Sequence, residues 1–151
     1  LKNEAQNYSL VIIGRNSTEP FIDIKGMMKK LIKEKKALYI PWVEDEDLPA
    51  LYQAAHFYIC TSTVDGETLM LKEAMQSGTP VITSPLLEGT IGGHGLIIKN
   101  PENIANTKQV LRDAMSKDLK RSQRIKNGIK WTQNISWKRA ATKSLNFLES
   151  R

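Results

Sequence analysis

Residues 61 to 83 read Thr61-Ser62-Thr63-Val64-Asp65-Gly66-Glu67-Thr68-Leu69-Met70-Leu71-Lys72-Glu73-Ala74-Met75-Gln76-Ser77-Gly78-Thr79-Pro80-Val81-Ile82-Thr83. An apolar run, His56 to Cys60, leads into this stretch and reads as a strand. Asp65-Gly66 marks a polar turn, and a helix is expected from about Thr68. Ser77-Gly78 stops that helix, and Thr79-Pro80 passes into the short apolar strand Val81-Ile82-Thr83. Strand, loop, helix and strand in that order form one βαβ unit. Its first loop lies at the carboxyl end of a parallel sheet, where open α/β folds bind ligands.

The flanks extend the same pattern. Tyr8 to Gly14 is an apolar, β-branched run closed by glycine, which predicts a buried parallel strand. Pro20 suits the first turn of a helix, and Phe21, Ile24, Met28, Leu31 and Ile32 follow at helical spacing with lysines opposite. Ala37 to Ile40 is a second strand, ended by Pro41. Trp42-Val43 leads into acidic residues Glu44 to Asp47, of which Asp45 or Asp47 can cap a helix carrying Leu48, Leu51, Tyr52 and Ala55 inward. After the central stretch comes a loop with Gly89, Gly92, Gly93 and Gly95, then a fifth strand at Leu96-Ile97-Ile98. Helices are expected after Pro101, over Ser116 to Trp131, and from Ser136 to Glu149 with Trp137, Ala140, Ala141, Leu145 and Leu148 inward. Strands alternating with helices indicate an α/β fold: a Rossmann-like, doubly wound parallel sheet in three layers, α/β/α.

The totals narrow the class. With 151 residues, 40% hydrophobic and 25% charged, the chain has globular composition and the length of one domain, residues 1–151. Its single cysteine, Cys60, allows no internal disulfide and reads as a core filler. No apolar run has the length of a membrane span, and no signal peptide is visible. The chain starts on Leu1, in what reads as mid-protein sequence, so a piece of a longer chain is expected. The net charge of +6 is concentrated in Lys25 to Lys36 and Lys117 to Lys143. Solvated helix faces are the plainer reading of both clusters. Attraction to an anionic membrane surface or to phosphorylated substrates is the sharper one. Nucleic acid is the weakest, because aromatics do not interleave with the basic runs and no nucleic-acid motif is present.

The central stretch carries the chemistry. A helix starting near Thr68 leaves its first amides unpaired, and with the helix dipole these make a site for a phosphate. Gly66 lets backbone and ligand approach closely. Thr68 can cap the helix or bond a phosphate oxygen. Glu73 lies too far inside the helix to cap it, but its carboxylate can accept from a pair of sugar hydroxyls. Asp65 is an acceptor at the loop tip. Phosphate donors between two carboxylates suit a sugar joined to a diphosphate and a ribose. The plainer reading makes Asp65-Gly66 a turn, Thr68 a cap, and Glu73 an exposed residue or a partner of Lys72 or Lys99. Short motifs by themselves do not separate the two.

The stretch resembles the nucleotide-sugar motif of GT-B glycosyltransferases, specifically family four of the retaining enzymes, the glycosyl transferases group 1 type. It matches at Ser62, Gly66, Leu69, Glu73, Ala74, Met75, Gly78, Pro80, Val81 and Ile82. Upstream, Asp47 to Ala55 resembles the family's Leu-x-x-Leu-Tyr-x-x-Ala segment. Downstream, Gly95 to Ile98 resembles its Gly-Leu-Leu-Val strand, and Ser136-Trp137 the opening of its last helix. The resemblance runs in order along nearly the whole chain.

It implies the donor-binding half of a transferase that moves a sugar from a nucleotide diphosphate sugar, with a UDP-, GDP- or ADP-sugar as substrate and no metal or other cofactor required. Asp65 and Glu73 take the catalytic positions, Asp65 by the transferred sugar and Glu73 on the ribose. The backbone of Gly66, Glu67, Thr68 and Leu69 faces the diphosphate. Trp42 and Val43 line the base, and Gly14 and Arg15 lie near the nucleotide. The expected partners are the nucleotide sugar and an acceptor-binding N-terminal domain of the same chain; the basic clusters, in their sharper reading, add a peripheral contact with an anionic membrane face. Nucleic acid is not expected. A cytoplasmic protein follows, and residues 1–151 alone are expected not to turn over.

The chain departs from the family motif at Asp65 for Glu, Glu67 for Phe, Thr68 for Gly and Met70 for Pro. Those changes motivate a rival expectation, a binding or scaffold module that kept the fold and lost catalysis. A GT-B epimerase acting on nucleotide sugars is another. Spacing to Leu51-Tyr52 aligns Ile13-Gly14 with the second strand of the family's donor half. In the other alignment, Arg15 and Lys25 become the diphosphate grip.

Overall fold

The computed structural model describes residues 8–14, 23–64, 68–116 and 120–150. The chain divides into two compact units, Leu1–Leu48 and Pro49–Arg151. Parallel strands alternate with helices in both, which is the expected α/β architecture. Among the described residues the strands are distributed over two hydrogen-bonded sheets, one of two strands and one of three.

The first unit holds strand β1 (Leu10–Ile13), helix α1 (Ile24–Lys33) and strand β2 (Ala37–Ile40). β1 and β2 are parallel, with Leu10 opposite Ala37 and Ile13 opposite Ile40. The Asp23 side chain accepts from the Gly26 amide at 2.8 Å and so caps α1. Gly26 leaves room for that cap, since a Cβ there would fall on the Asp23 carboxylate. Met28 is the buried contact of the helix. The amide of Lys36 bonds the Leu31 carbonyl and that of Lys35 bonds the Ile32 carbonyl. That is a Schellman stop, and it places Lys35 at a φ of 56°. The run read as a buried strand is half open: Leu10, Val11 and Ile13 are exposed. Its apolar character records a preference for burial, but within this unit α1 packs on β2. The expected helix start at Pro20 and Phe21 falls outside the described residues.

The second unit contains helix α2 (Leu48–Ala54), which begins at its boundary, then β3 (Tyr58–Cys60), α3 (Leu69–Gln76) and β4 (Val81–Thr83). A 3-10 turn at Pro85–Leu87 follows, then β5 (Leu96–Ile97), α4 (Ile104–Met115), α5 (Arg121–Gln133) and α6 (Trp137–Glu149). The sheet order is β3-β4-β5, all parallel. Central β4 is buried along its whole length, as a strand covered on both faces should be. Ile82, Ile98 and Ala114 form a core on which Phe57, Leu96, Val110 and Leu111 pack.

α3 buries Leu71, Ala74 and Met75, a spacing that places one helical face inward. α5 covers α3, and buried Gly128 lets the two approach at Met75. α3 ends in another Schellman stop, Thr79 N–H to the Ala74 carbonyl and Gly78 N–H to the Met75 carbonyl, with Gly78 at a φ of 83°.

The last helix departs from expectation. Ser136 caps α6 through the Arg139 amide as predicted, but no residue of the helix is buried and Trp137 is 87% exposed. Periodicity identifies the face that favours burial without identifying what covers it. Among the described residues no helix is long and apolar enough to cross a membrane.

Candidate functional site

The βαβ unit read from residues 61 to 83 is present as β3, α3 and β4. The exit of β3 is tied to β4 by side chains rather than by further strand pairing. The Thr83 hydroxyl donates to the Cys60 carbonyl at 2.8 Å, and the Ser84 hydroxyl donates to the Ser62 carbonyl. Both hydroxyl residues are fully buried. These bonds extend the register of the two strands into the loop that leads towards α3.

Thr68 occupies the N-cap position of α3 with an extended backbone, and its side chain makes no capping bond. It is only 4% exposed, and its Oγ1 is buried without a hydrogen-bond partner. Leaving a buried hydroxyl unpaired costs about 1–3 kcal/mol, so an orphaned donor of this kind needs a reason. It sits beside the first-turn amides of a helix whose dipole favours an anion. Leu69, the next residue, is exposed. Of the two roles open to Thr68 in the sequence, the capping role is not the one adopted.

Glu73 lies one turn further along α3 and is exposed. Its Oε2 accepts a hydrogen bond from the Tyr52 hydroxyl at 3.2 Å. Tyr52 is buried in α2, its ring edge-on to Tyr58 with centroids 5.6 Å apart. The Thr79 hydroxyl donates to the Tyr52 carbonyl, so the stop of α3 also holds α2 in place. Burial pushes the Tyr52 phenol well above the ordinary tyrosine range, and the Glu73 carboxylate pushes it further. Burial, followed by the fields of Cys60 and Glu73, pushes Tyr58 up to about 12. Tyr52 therefore stays protonated and donates to Glu73 throughout the physiological range.

The first unit places its own candidates at the carboxyl ends of paired strands. Gly14 follows β1 at a φ of 142°, its amide bonding the Ile40 carbonyl at 3.0 Å. Its carbonyl accepts from the Tyr39 hydroxyl at 2.7 Å. Trp42 follows β2 with an exposed indole whose Nε1 donates to Glu44 at 3.2 Å. Val43 is half-buried beside it in sequence. Gly14, Trp42 and Val43 thus belong to neighbouring strand ends in one unit, and Thr68, Leu69 and Glu73 to one helix in the other. Arg15, Asp65, Gly66 and Glu67 lie outside the described residues.

Four contributors had no role assigned from sequence. Thr79, Thr83 and Ser84 follow a helix or end a strand, where a hydroxyl can replace a missing backbone partner. That position was the available signal. Tyr52 faces inward as its helical spacing predicts, but spacing that accounts for its ring assigns nothing to its hydroxyl. The glycine-rich loop also has a structural explanation. The indole of Trp131 lies over Gly92, and His94 meets the same indole edge-on with centroids 5.9 Å apart. Among the described residues no group of His, Cys, Asp and Glu is placed to hold a metal ion.

The family model described as glycosyl transferases group 1 matches residues 1–131. The O-antigen chain mannosyltransferase B of Escherichia coli is 27% identical over 141 residues, 92% of this chain and 36% of that protein. Among solved structures, the sucrose-phosphate synthase of Thermosynechococcus elongatus superposes with a TM-score of 0.69 at 22% identity, covering 94% of this chain and 38% of that one. A structure described as trehalose-6-phosphate from E. coli bound with UDP-2-fluoro glucose gives a TM-score of 0.68 at 13% identity over 88% of this chain and 34% of that one. The likeness to these structures is one of fold, a Rossmann-like α/β fold of the GT-B kind. The chain therefore spans little more than a third of the length of such relatives. With its sequence matched along most of its length and its parallel α/β fold shared, the chain belongs to the glycosyl transferases group 1 family.

Proposed function

We propose that this chain is the donor-binding half of a retaining glycosyltransferase, which passes a sugar from a nucleotide diphosphate to an acceptor held by an N-terminal domain. The observation that carries the reading is the buried, unpartnered Oγ1 of Thr68 at the N-terminus of α3. A diphosphate oxygen at that point would satisfy the hydroxyl and meet the first-turn amides together. Negative charge develops on the leaving diphosphate during transfer, so donors fixed there stabilise the transition state more than the ground state.

The other roles follow from this anchor. Glu73, one turn along α3, accepts from the ribose hydroxyls. One donor from Tyr52 leaves acceptor capacity, because a carboxylate offers about four lone-pair sites. Asp65 contacts the transferred sugar, with Gly66 and Glu67 supplying backbone along the diphosphate. The family resemblance, independently of this anchor, makes Gly14, Arg15, Trp42 and Val43 the candidates for contact with the nucleotide, Trp42 and Val43 with its base. The donor is a UDP-, GDP- or ADP-sugar. Mannose merits inclusion among the sugars tried, given the activity named for the E. coli relative.

Calorimetry of the full-length protein against UDP, GDP and ADP and their sugars tests the reading. One nucleotide series is expected to bind, and Glu73→Ala to weaken it at least tenfold, since hydrogen bonds to a charged group are worth about 1.5–3 kcal/mol each. Equal binding by that variant would remove the ribose role. Product analysis is expected to show a glycoside with the donor's anomeric configuration kept. A freed epimer in its place would favour the epimerase reading.

A further inference from the structure

We propose that Tyr52 is a positioning residue for Glu73, holding its carboxylate in the conformer that receives the ribose diol. The inference rests on the ribose role of Glu73 given above. A glutamate exposed on a helix has three rotatable side-chain bonds and samples many rotamers, most of which point its oxygens away from any one ligand. Here one oxygen, Oε2, is bonded by the Tyr52 hydroxyl at 3.2 Å. The donor is rigid. Its ring is buried and packed edge-on against Tyr58, and the Tyr52 carbonyl accepts from the Thr79 hydroxyl. Thr79 also takes part in the Schellman stop of α3, so donor and acceptor are referenced to the same short segment of backbone.

Two features indicate a functional bond rather than a packing accident. The bond joins a donor fixed by packing to a carboxylate on an exposed side chain, so its ordering effect falls on Glu73 rather than on Tyr52. A neutral phenol also orders the carboxylate without cancelling its charge, whereas a lysine in the same place would compete with the ligand for it. Tyr52 touches neither sugar nor diphosphate in this scheme. It acts through Glu73, by removing conformers that binding would otherwise have to remove.

The test compares ribose recognition with overall binding. On the full-length protein, the dissociation constants of UDP, GDP and ADP are measured with those of their 2′,3′-dideoxy counterparts, and the tightest-binding base is carried forward. The unaltered protein is expected to prefer the ribonucleotide. Tyr52→Phe keeps the ring and is expected to cut that preference roughly three- to tenfold, leaving dideoxy affinity within about twofold. In a Glu73→Ala background the same substitution is expected to change nothing further. A ratio of two affinities on one sample is insensitive to the folded fraction, so partial unfolding does not imitate the effect. Tyr52→Met, an unbranched replacement without the hydroxyl, serves if the Phe variant does not fold.

If Tyr52→Phe weakens both ligands equally, or neither, Tyr52 is structural and the proposal is overturned while the role of Glu73 stands. If the unaltered protein itself shows no preference for ribose, the Glu73 reading fails and this proposal fails with it.

Discussion

Trp131 of α5 lies so close over Gly92 that a Cβ at position 92 would fall 2.6 Å from the indole Cε2. Gly92 also holds a φ of 55°, which disfavours a side chain independently of space. The loop from Gly89 to Gly95 is thus shaped by what it packs beneath, and the Trp131 Nε1 closes the contact by donating to the Thr90 carbonyl at 3.4 Å. Gly92→Ala is expected to destabilise the protein by about 1–3 kcal/mol, the range for overpacking. In a Trp131→Ala background the added cost of Gly92→Ala falls towards that of backbone strain alone. Urea unfolding of the four proteins reads the coupling as non-additivity, and strict additivity would show that the indole is not the obstacle.

Lys35 makes the opposite prediction. It occupies the left-handed position of the stop after α1, where a Cβ costs about 1 kcal/mol and glycine is the usual occupant. Lys35→Gly is expected to stabilise the protein by about 0.5–1 kcal/mol, because relief of strain exceeds the added entropy of the unfolded chain. A lowered urea midpoint would mean that the lysine side chain contributes an interaction outweighing its backbone cost.

The two left-handed helix stops, at Gly78 and at Lys35, show where sequence was informative and where it was not. Gly78 was legible as a helix stop because a helical run ends on it. The turn that needs a glycine at 35 could not be read from Lys35, because tertiary pairing of β1 with β2 and packing of α1 impose that conformation on an ill-suited residue. The α/β fold and the βαβ unit were legible, since apolar runs alternating with helical spacing depend on local chemistry alone. The covering of each face was not. β1 and α6 have the apolar patterns of buried elements and are largely exposed, because a pattern does not identify its partner. In the candidate site, the pattern put Thr68 at a helix start and Glu73 inside that helix, and the family resemblance singled them out as ligand residues. The Tyr52 bond to Glu73 spans residues far apart in sequence and is visible only once α2 is placed beside α3.

The two raised phenols set an alkaline limit. In the unfolded chain Tyr52 and Tyr58 ionise near pH 10, whereas in the folded protein Tyr52 is held well above that value and Tyr58 at about 12. Between these limits the unfolded state binds fewer protons than the native state, so stability falls as pH rises. The contribution is fully present below pH 10 and is lost as pH climbs through the folded values. Tyr52→Phe and Tyr58→Phe should each flatten the decline in unfolding free energy between about pH 9 and 11.5. Slopes identical to that of the unaltered protein would contradict the direction assigned to these groups.

Thr68 offers a test in which stability and function move in opposite directions. Its hydroxyl is buried, makes no cap bond and has no partner. Thr68→Val keeps the branched shape and removes the unpaired polar group, which should stabilise the ligand-free protein by about 1–2 kcal/mol. If the hydroxyl is reserved for a diphosphate oxygen, the same change should weaken nucleoside diphosphate binding roughly three- to tenfold, while a nucleoside lacking phosphate binds as before. Thermal unfolding and calorimetry on one protein sample supply both readings. A hydroxyl serving as a helix cap would give the reverse, a loss of stability of about 1 kcal/mol with binding unchanged. A stabilised variant with undiminished diphosphate affinity would show that the oxygen is a defect rather than a donor, and would remove the anchor on which the proposed site is built.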